Sequence, residues 1–376
     1  MLAAFGMVAG LQPATLMAQA PVPQTGTIWT GTIGTLPITA CFESQYASEG
    51  VYYYNAHLIP LRLSSFDEIA PGVLTEVAGF DKHDGSTWTI ESRSDEQISG
   101  IWRNGTRSYP IRLSAVPASF GEYGSVCESA EFVEPLLAGG TISDERANFE
   151  GLEYTARRYL GPARLGEGEY QVMSFALDPV QPGDAEVNRA LASALPDDTV
   201  DHAMGQCVGL SIPTGQLGYL TETLEPVHVS DRWLGIERAG STFCGGAHPN
   251  HFWAYAVYDR ESGEEVDPST WFAPEALEFY EFLNREDWET KRPIAGLSEP
   301  LLAIVLGYWP TREDIEDCAD AASSGTSWDI GLSKDGVVFM PQFAYVNFAC
   351  SEPVTVSWDR LEPFLSDEGR AVRDSL

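Results

Sequence analysis

The stretch CGGAHPNHFW, residues 244–253, carries the most information about the fold. Its two adjacent glycines permit positive φ or a very close approach of another backbone. The run from Phe252 to Tyr258 has the composition of a strand, and the polar segment 259–264 has that of a turn. No catalytic signature occurs among these residues. The stretch therefore predicts a strand entered through a tight glycine turn, without indicating a reaction.

Three further segments extend this pattern toward the C-terminus. Residues 266–272 read VDPSTWF, residues 328–345 read WDIGLSKDGVVFMPQFAY, and residues 354–361 read VTVSWDRL. Between residues 272 and 328, the segments 274–284 and 300–308 show helical apolar spacing, which predicts a helix in each.

Together these motifs resemble an envelope domain of unknown function. It is shared by the ectodomains of RsiV-type anti-sigma factors and by a non-catalytic region of PdaC-type peptidoglycan deacetylases. The resemblance covers roughly residues 145–376, and it implies that residues 328–345 and 354–361 contain the closing strands of the domain. It implies an α+β domain with an antiparallel sheet and, from the anti-sigma branch, lysozyme binding without catalysis. The sequence shows neither a sigma-binding region nor a deacetylase domain, so we expect a binding domain without an attached effector.

The first 20 residues have the features of a secretory signal peptide. An apolar stretch over residues 2–11 is followed by Ala18-Gln19-Ala20, a small-x-small cleavage site. The first basic residue is Arg62, so the basic n-region is missing and the start codon is expected upstream of Met1. No later segment approaches the roughly 20 apolar residues that span a bilayer, and no cysteine follows the signal region to carry a lipid. The sequence predicts a soluble periplasmic or secreted protein.

Six cysteines in an exported chain are compatible with three disulfides, although six cysteines allow fifteen pairings. The alternative is that some are free buried thiols. The preferred pairing follows sequence order, and its last bond would join a helix to a late strand. The three bonds would be Cys41–Cys127, Cys207–Cys244 and Cys318–Cys350.

The chain is strongly acidic, with 55 acidic and 22 basic residues and a formal net charge of −33. Nucleic acids and anionic membrane surfaces are therefore poor partners. A basic protein would be attracted, and lysozymes are commonly basic. The alternative is that the acidic residues only keep an exported protein soluble.

The 376-residue length predicts two domains after the signal peptide. The predicted fold class is α+β, because an all-β domain precedes the α+β domain that the resemblance implies. Residues 21–138 are predicted to form an antiparallel β barrel or sandwich, and residues 139–376 an α+β domain with an antiparallel sheet and a few helices. Predicted turns occupy residues 81–85 and 103–105, and residues 119–144 form a predicted connector. Predicted strands of the first domain are residues 33–38, 51–54, 58–63, 85–90 and 98–102.

In the second domain, residues 153–159 and 170–177 are predicted strands. Asp184 to Leu195 is a predicted helix, because Val187, Leu191 and Leu195 recur at i, i+4 and i+8. The acidic residues Glu313, Asp314, Glu316, Asp317 and Asp320 are predicted to form the solvated face of a helix.

The sequence gives little support for a catalytic or a metal-binding role. His248 and His251 stand beside Cys244, but no further metal ligands follow at a suitable spacing, so neither a metal nor a cofactor is expected. The segment 240–245 does not match the G-x-S-x-G serine elbow. Asp and Glu are too abundant to single out a hydrolytic pair. The sequence therefore favours a non-enzymatic protein.

The candidate ligand-binding residues lie in and beside the glycine turn. His248 has two readings, a hydrogen bond to the backbone of the turn or a contact with a partner. In the following strand, alternate side chains share a face, so Trp253 and Tyr255 point to one side and Phe252 and Ala254 to the other. The leading hypothesis is an envelope binding module for a lysozyme-like protein or peptidoglycan fragments. The alternatives are a periplasmic cell-wall hydrolase that uses carboxylates, or a structural envelope protein without a ligand. The candidate residues are Gly245, Gly246, His248, Pro249, Asn250, Trp253 and Tyr255.

Overall fold

A computed structural model describes most of the chain. The predicted signal peptide and the acidic residues Glu313, Asp314, Glu316 and Asp317 lie outside the described residues. No helix among the described residues is long and apolar enough to cross a membrane. The described ranges are residues 24–42, 49–65, 72–78, 82–121, 124–214, 217–279, 295–309, 318–323 and 326–376.

The N-terminal part is a closed antiparallel barrel of eight strands, which confirms the predicted all-β architecture. Each strand pairs with its neighbours in sequence, and β1 closes the barrel against β8. The strands are β1 (Gln24–Ile33), β2 (Leu36–Phe42), β3 (Glu49–Tyr54), β4 (Leu61–Ser64), β5 (Val73–Ala78), β6 (Lys82–Arg93), β7 (Gln97–Asn104) and β8 (Arg107–Phe120).

Three local predictions in the barrel were wrong. Residues 33–38 are not one strand, because Gly34 adopts φ +62° in the turn that joins β1 to β2. Leu58 has φ +56°, so the strand predicted from Leu58 begins only at Leu61. The turn predicted over 81–85 belongs from Lys82 onward to β6, because this segment pairs with β5. Pairing across the barrel overrides the local turn signals.

A buried carboxylate organises one region of the barrel interior. Glu76 is 7% exposed. Its Oε1 accepts hydrogen bonds from Tyr52 Oη at 2.5 Å, Trp88 Nε1 at 3.1 Å and Trp102 Nε1 at 2.6 Å. Burial, followed by the charge of Glu76, raises the pKa of Tyr52 far above its usual value. The phenol therefore stays a hydrogen-bond donor at any physiological pH.

The second part contains a seven-stranded sheet with the order β15-β14-β13-β12-β11-β10-β9. The predicted strands at 153–159 and 170–177 and the strand through 252–258 are confirmed. The strands are β9 (Thr141–Phe149), β10 (Leu152–Leu160), β11 (Tyr170–Leu177), β12 (Tyr219–Val229), β13 (Trp233–Phe243), β14 (Asn250–Asp259) and β15 (Glu265–Val266).

This sheet is mixed and not antiparallel throughout as predicted, because β11 and β12 run parallel. Parallel neighbours need a long crossover connection, usually helical. The connection here holds the predicted helix, α2 (Asp184–Ser193), and a second helix, α3 (Ala203–Ser211). Both helices pack near β11 and β12.

The predicted connector, residues 119–144, contains helix α1 (Ala130–Leu137). Phe132, Leu136 and Leu137 are fully buried in a core that also includes Tyr53 of the barrel and Tyr170 of the sheet. The connector was predicted as irregular because its glycines dominate the local pattern. Its apolar residues instead fill the space between the barrel and the seven-stranded sheet.

Within the described residues, the C-terminal part is a five-stranded antiparallel sheet with four α-helices. The predicted helix over 300–308 is confirmed, whereas the helix predicted from Pro274 is wrong within the described residues. Pro274–Ala276 forms a 3₁₀ turn, and the next residues pair with a strand near Leu297. The elements are β16 (Leu277–Phe279), β17 (Ala295–Leu297), α4 (Glu299–Leu306), α5 (Cys318–Ser323), β18 (Ser327–Ser333), β19 (Gly336–Gln342), β20 (Val354–Val356), α6 (Trp358–Leu361) and α7 (Asp367–Asp374).

All three disulfides pair in sequence order, as predicted. No free cysteine remains among the described residues. One detail differs: Cys318 lies in α5, but Cys350 ends the 3₁₀ helix Tyr345–Cys350 and does not lie in a strand.

Candidate functional site

The glycine turn before β14 is held at both ends. Gly245 and Gly246 have φ of +93° and +101°, a conformation that side chains with a Cβ rarely adopt. A Cβ on Gly245 would also meet Thr214 Cγ2 at 3.0 Å. The Cys207–Cys244 disulfide fixes the start of the turn to α3, and the pairing of Asn250 with β13 fixes its end. The two glycines are therefore required by the backbone geometry of the turn.

His248 projects from this turn onto the protein surface. Its Nδ1 donates to the carbonyl oxygen of Pro249 at 2.8 Å, because a carbonyl only accepts. Its ring stacks on Tyr345, with centroids 4.2 Å apart and planes at 13°. His251 lies next to this pair and stacks on Phe348 at 5.1 Å. The backbone bond matches one of the two predicted roles of His248.

These rings and the adjacent Val346 form a group that we call the aromatic surface: His248, His251, Tyr345, Val346 and Phe348. His248, Tyr345 and Val346 are exposed, whereas His251 and Phe348 are half-buried. Tyr345 is 46% exposed and Val346 is 83% exposed. Tyr345, Val346 and Phe348 belong to the 3₁₀ helix Tyr345–Cys350, which the Cys318–Cys350 disulfide ties to α5. Sequence reasoning missed this segment, because Tyr345 had been placed at the end of a strand. The signal that would have found it is the run of apolar residues just before Cys350.

The seven predicted ligand-binding residues separate into two groups. Gly245, Gly246, His248, Pro249 and Asn250 lie in the turn or at its exit. Trp253 and Tyr255 instead point into the contact with β19, where they pack with Val338 and Met340. Tyr255 is 5% exposed, and its hydroxyl donates to Glu237 Oε2 at 2.9 Å. Strand alternation places Trp253 and Tyr255 on the same face of β14 as His251, and packing against β19 is what covers them.

A cleft of about 700 Å³ opens on the other face of β14. Its floor is apolar and comes from the central strands of the seven-stranded sheet. One wall is the C-terminal half of α2, and the opposite wall is the segment 267–269 together with β18. The floor residues are Leu224, Ile236, Ala254 and Ala256.

Charged groups in the cleft are mostly acidic and mostly engaged. Glu222 is 5% exposed and forms an ion pair with Arg238, whose guanidinium also lies 5.4 Å from the ring centroid of Phe252. Asp329 accepts the backbone N–H of Tyr255, which points outward from the edge of β14. Asp267 accepts the N–H of Ser269 at 2.9 Å. These three carboxylates therefore already accept hydrogen bonds within the fold.

His202, at the mouth of the cleft, has a structural role. It is the N-cap of α3, where its Nδ1 accepts from Met204 N at 3.2 Å. Its Nε2 lies 3.2 Å from the carbonyl oxygen of Ala194 and is therefore the protonated nitrogen. Both ring nitrogens are used, so the imidazole has no lone pair to offer a substrate.

A metal site at Cys244, His248 and His251 would need the sulfur of Cys244, but this sulfur is bonded to Cys207 in a disulfide. Within the described ranges, no group of three or more His, Cys, Asp or Glu residues has the arrangement of a metal site. The two histidines use their rings in stacking. The chemistry that the turn supports is aromatic and hydrogen-bonding contact.

The chain is similar to two solved structures of DUF3298 family proteins. The protein from Pseudomonas aeruginosa PAO1 is 14% identical, with a TM-score of 0.33, over 62% of this chain and 98% of that chain. The protein from Bacteroides fragilis NCTC 9343 is 12% identical, with a TM-score of 0.37, over 62% of this chain and 95% of that chain. No protein-family model and no curated protein matches the sequence. Similarity at this level supplies no argument about function.

Proposed function

We propose that this protein is an exported, non-enzymatic binding module whose aromatic surface docks a basic protein of the lysozyme class. The observation that carries the proposal is the stack of His248 on Tyr345, with exposed Val346 beside it. Aromatic residues are enriched at protein interfaces, because they contribute large contact areas and few rotamers. Three disulfides support an oxidising compartment, as the predicted signal peptide also does.

The surface is held rigid by covalent bonds, which favours binding. Cys244 directly precedes the glycine turn, and Cys350 ends the 3₁₀ helix that carries Tyr345. Each disulfide therefore fixes one of the two segments that meet at the ring stack. A contact surface that is ordered before binding loses less conformational entropy when the partner arrives.

Charge supports a basic partner. The formal net charge of −33 creates a negative field that draws a basic protein toward the chain and raises the association rate. The aromatic rings then contribute the part of the contact that salt does not screen. Peptidoglycan fragments, the other ligand in this proposal, would use the ring faces but would gain little from the field.

The cell-wall hydrolase remains the alternative function, and the cleft is the candidate place for its active site. Its most buried carboxylate, Glu222, is paired with Arg238, and Asp329 accepts a backbone N–H. Both carboxylates are therefore engaged within the fold, which does not favour their use as the acid and base of glycoside hydrolysis. The binding module is therefore the better supported proposal.

The test is calorimetric titration of the mature chain with a basic lysozyme at low and at physiological salt. We expect binding that persists at physiological salt and weakens by about tenfold in Tyr345→Ala, the cost of truncating an interface anchor. His248→Ala should weaken binding in the same direction. The matched control is Tyr109→Ala, because Tyr109 of the barrel is also 46% exposed and also stacks on another ring, that of Trp102.

Binding only at low salt would mean that charge attraction alone acts, which would refute the docking surface. Equal weakening by Tyr345→Ala and Tyr109→Ala would also refute it. If lysozyme does not bind but peptidoglycan fragments do, and the same two variants differ, the surface stands and the class of partner changes.

A further inference from the structure

We propose that the cleft over β14 is a second binding site, which takes an organic ammonium compound with a flat apolar body. It lies over Ala254 and Ala256 of β14 and shares no residue with the aromatic surface. The proposal does not depend on lysozyme binding. It rests on the shape of the cleft, its apolar floor and the sign of its charges.

The cleft exists because two positions on β14 carry only methyl groups. Ala254 and Ala256 lie opposite Arg238 and Ile236 of β13, on the face that α2 partly covers. Larger residues at these positions would fill the space between the sheet and the helix. α2 also presents small side chains here, Ala190 and Ala194. The volume of about 700 Å³ falls within the range of roughly 300–1,000 Å³ that is usual for small-molecule sites.

The floor favours an apolar group that lies flat. Leu224 and Ile236 continue the surface of Ala254 and Ala256, and the buried Trp328 borders the cleft on the β18 side. These side chains present carbon atoms over several neighbouring strands. A flat ring laid against them would remove apolar surface from water on one of its faces.

The charges select a cation. Five carboxylates and one guanidinium line the cleft, and that guanidinium, on Arg238, is paired with Glu222. The lining is therefore net negative, which disfavours an anionic ligand. The remaining carboxylates surround the apolar floor, so a single ammonium group can reach one of them while the ligand body stays on the floor. These four are Asp201, Glu265, Asp267 and Asp329.

The test uses three indoles that share one ring system and differ in charge. Tryptamine carries an ammonium group, tryptophol a neutral hydroxyl and indole-3-acetate a carboxylate. Each is titrated into the full chain at physiological salt and followed by ligand-observed NMR and calorimetry. We expect saturable binding of tryptamine, binding of tryptophol weaker by about tenfold, and no binding of indole-3-acetate.

Variants locate the site. Ala254→Leu places a larger side chain on the floor of the cleft and should abolish tryptamine binding. Ala190→Phe fills the cleft from the side of α2 and is the substitute variant if Ala254→Leu does not fold. Glu265→Gln should weaken binding severalfold, whereas the matched control Glu264→Gln removes the same charge one residue away, outside the cleft, and should not. Circular dichroism verifies that each variant is folded.

Equal affinity for all three indoles, or tryptamine binding that survives in both folded filling variants, would overturn the proposal. Equal weakening by Glu264→Gln and Glu265→Gln would also overturn it, because general attraction to an acidic protein would then explain the result. Tyr345→Ala should leave tryptamine binding unchanged. Failure here is therefore distinguishable from failure of the lysozyme proposal.

Discussion

The buried ion pair between Arg260 and Asp184 is the interaction whose loss we expect to cost the most stability. The two side chains are 4% and 0% exposed. Two guanidinium nitrogens donate to the two carboxylate oxygens at 2.9 Å each, and a third donates to the carbonyl oxygen of Ser230 at 2.8 Å. Asp184 also accepts the backbone N–H groups of Val180 and Gln181. The pair joins the turn after β14 to the start of α2.

Arg260→Ala would leave the Asp184 carboxylate buried without its counter-charge. Removing one partner of a buried, hydrogen-bonded ion pair costs about 3–5 kcal/mol. We therefore expect the free energy of unfolding to fall by about that amount at pH 7. The assay is urea-induced unfolding followed by tryptophan fluorescence and circular dichroism, with midpoint and slope compared between parent and variant.

The matched control is Arg232→Ala. Arg232 donates to Asp259 Oδ2 from two nitrogens at 3.2 and 3.0 Å, but its side chain is 47% exposed. An exposed pair is worth about 0–1 kcal/mol, so this variant should lose far less. Equal losses from the two variants would refute the reasoning, since burial would then not decide the value of the pair.

The pH dependence gives an independent check on Asp184. Burial alone would raise the pKa of Asp184, but the hydrogen bonds from Arg260 and the two backbone N–H groups outweigh it and lower the pKa. The resulting stability is present above the unfolded pKa of about 3.9 and is lost as pH falls through the lower folded pKa. The difference between parent and Arg260→Ala should therefore narrow in acid. A constant difference down to low pH would contradict this assignment.

Three further changes have expected outcomes. Burial lowers the pKa of His228, and neither ring nitrogen has a hydrogen-bond partner among the described residues. As pH falls, His228 is therefore protonated in the unfolded chain at a higher pH than in the folded protein. The free energy of unfolding should decline as pH falls below about 6.5. Thermal melts from pH 8 to pH 5 should show a shallower decline for His228→Leu, and an equal decline would refute the assignment. Replacing Cys207 and Cys244 with serine removes a disulfide that joins residues 37 positions apart in the chain. The free energy of unfolding measured in urea should fall by about 4 kcal/mol, and an unchanged unfolding midpoint would contradict this contribution. Glu76→Leu leaves three donors without their acceptor, at about 1–3 kcal/mol for each buried donor, so it should lower the melting temperature more than Glu76→Gln, which keeps an oxygen.

Strand periodicity and helical spacing predicted many of the elements. The segment 170–177 coincides with β11, and Val187 and Leu191 are buried as the spacing in α2 required. Such patterns succeed because each element buries one face against a core. They failed at Pro274 and over residues 33–38, where pairing with distant or neighbouring strands determined the backbone. Local sequence does not encode the partner of a strand.

The candidate site was predicted in part. The glycine turn and His248 were identified, because adjacent glycines indicate a special backbone. Tyr345, the ring on which His248 stacks, was not, since it lies 97 positions along the chain from His248 and the two meet only when β14 lies beside the 3₁₀ helix. Trp253 and Tyr255 were included because they are aromatic, but the packing of β19 buries them. The cleft had no signal in the sequence, because alanine residues on a strand do not reveal which element faces them.

By itself, the sequence determined the acidic charge, the all-β pattern of the N-terminal part and the positions of many strands. These properties depend on composition and on short-range periodicity, which each segment carries alone. Only the tertiary structure decided that the β meander closes into a barrel, that β11 and β12 run parallel, and which side chains surround the aromatic surface and the cleft. Those outcomes depend on contacts between residues far apart in the chain, where the burial of apolar surface by the whole fold selects one arrangement among many that are locally acceptable.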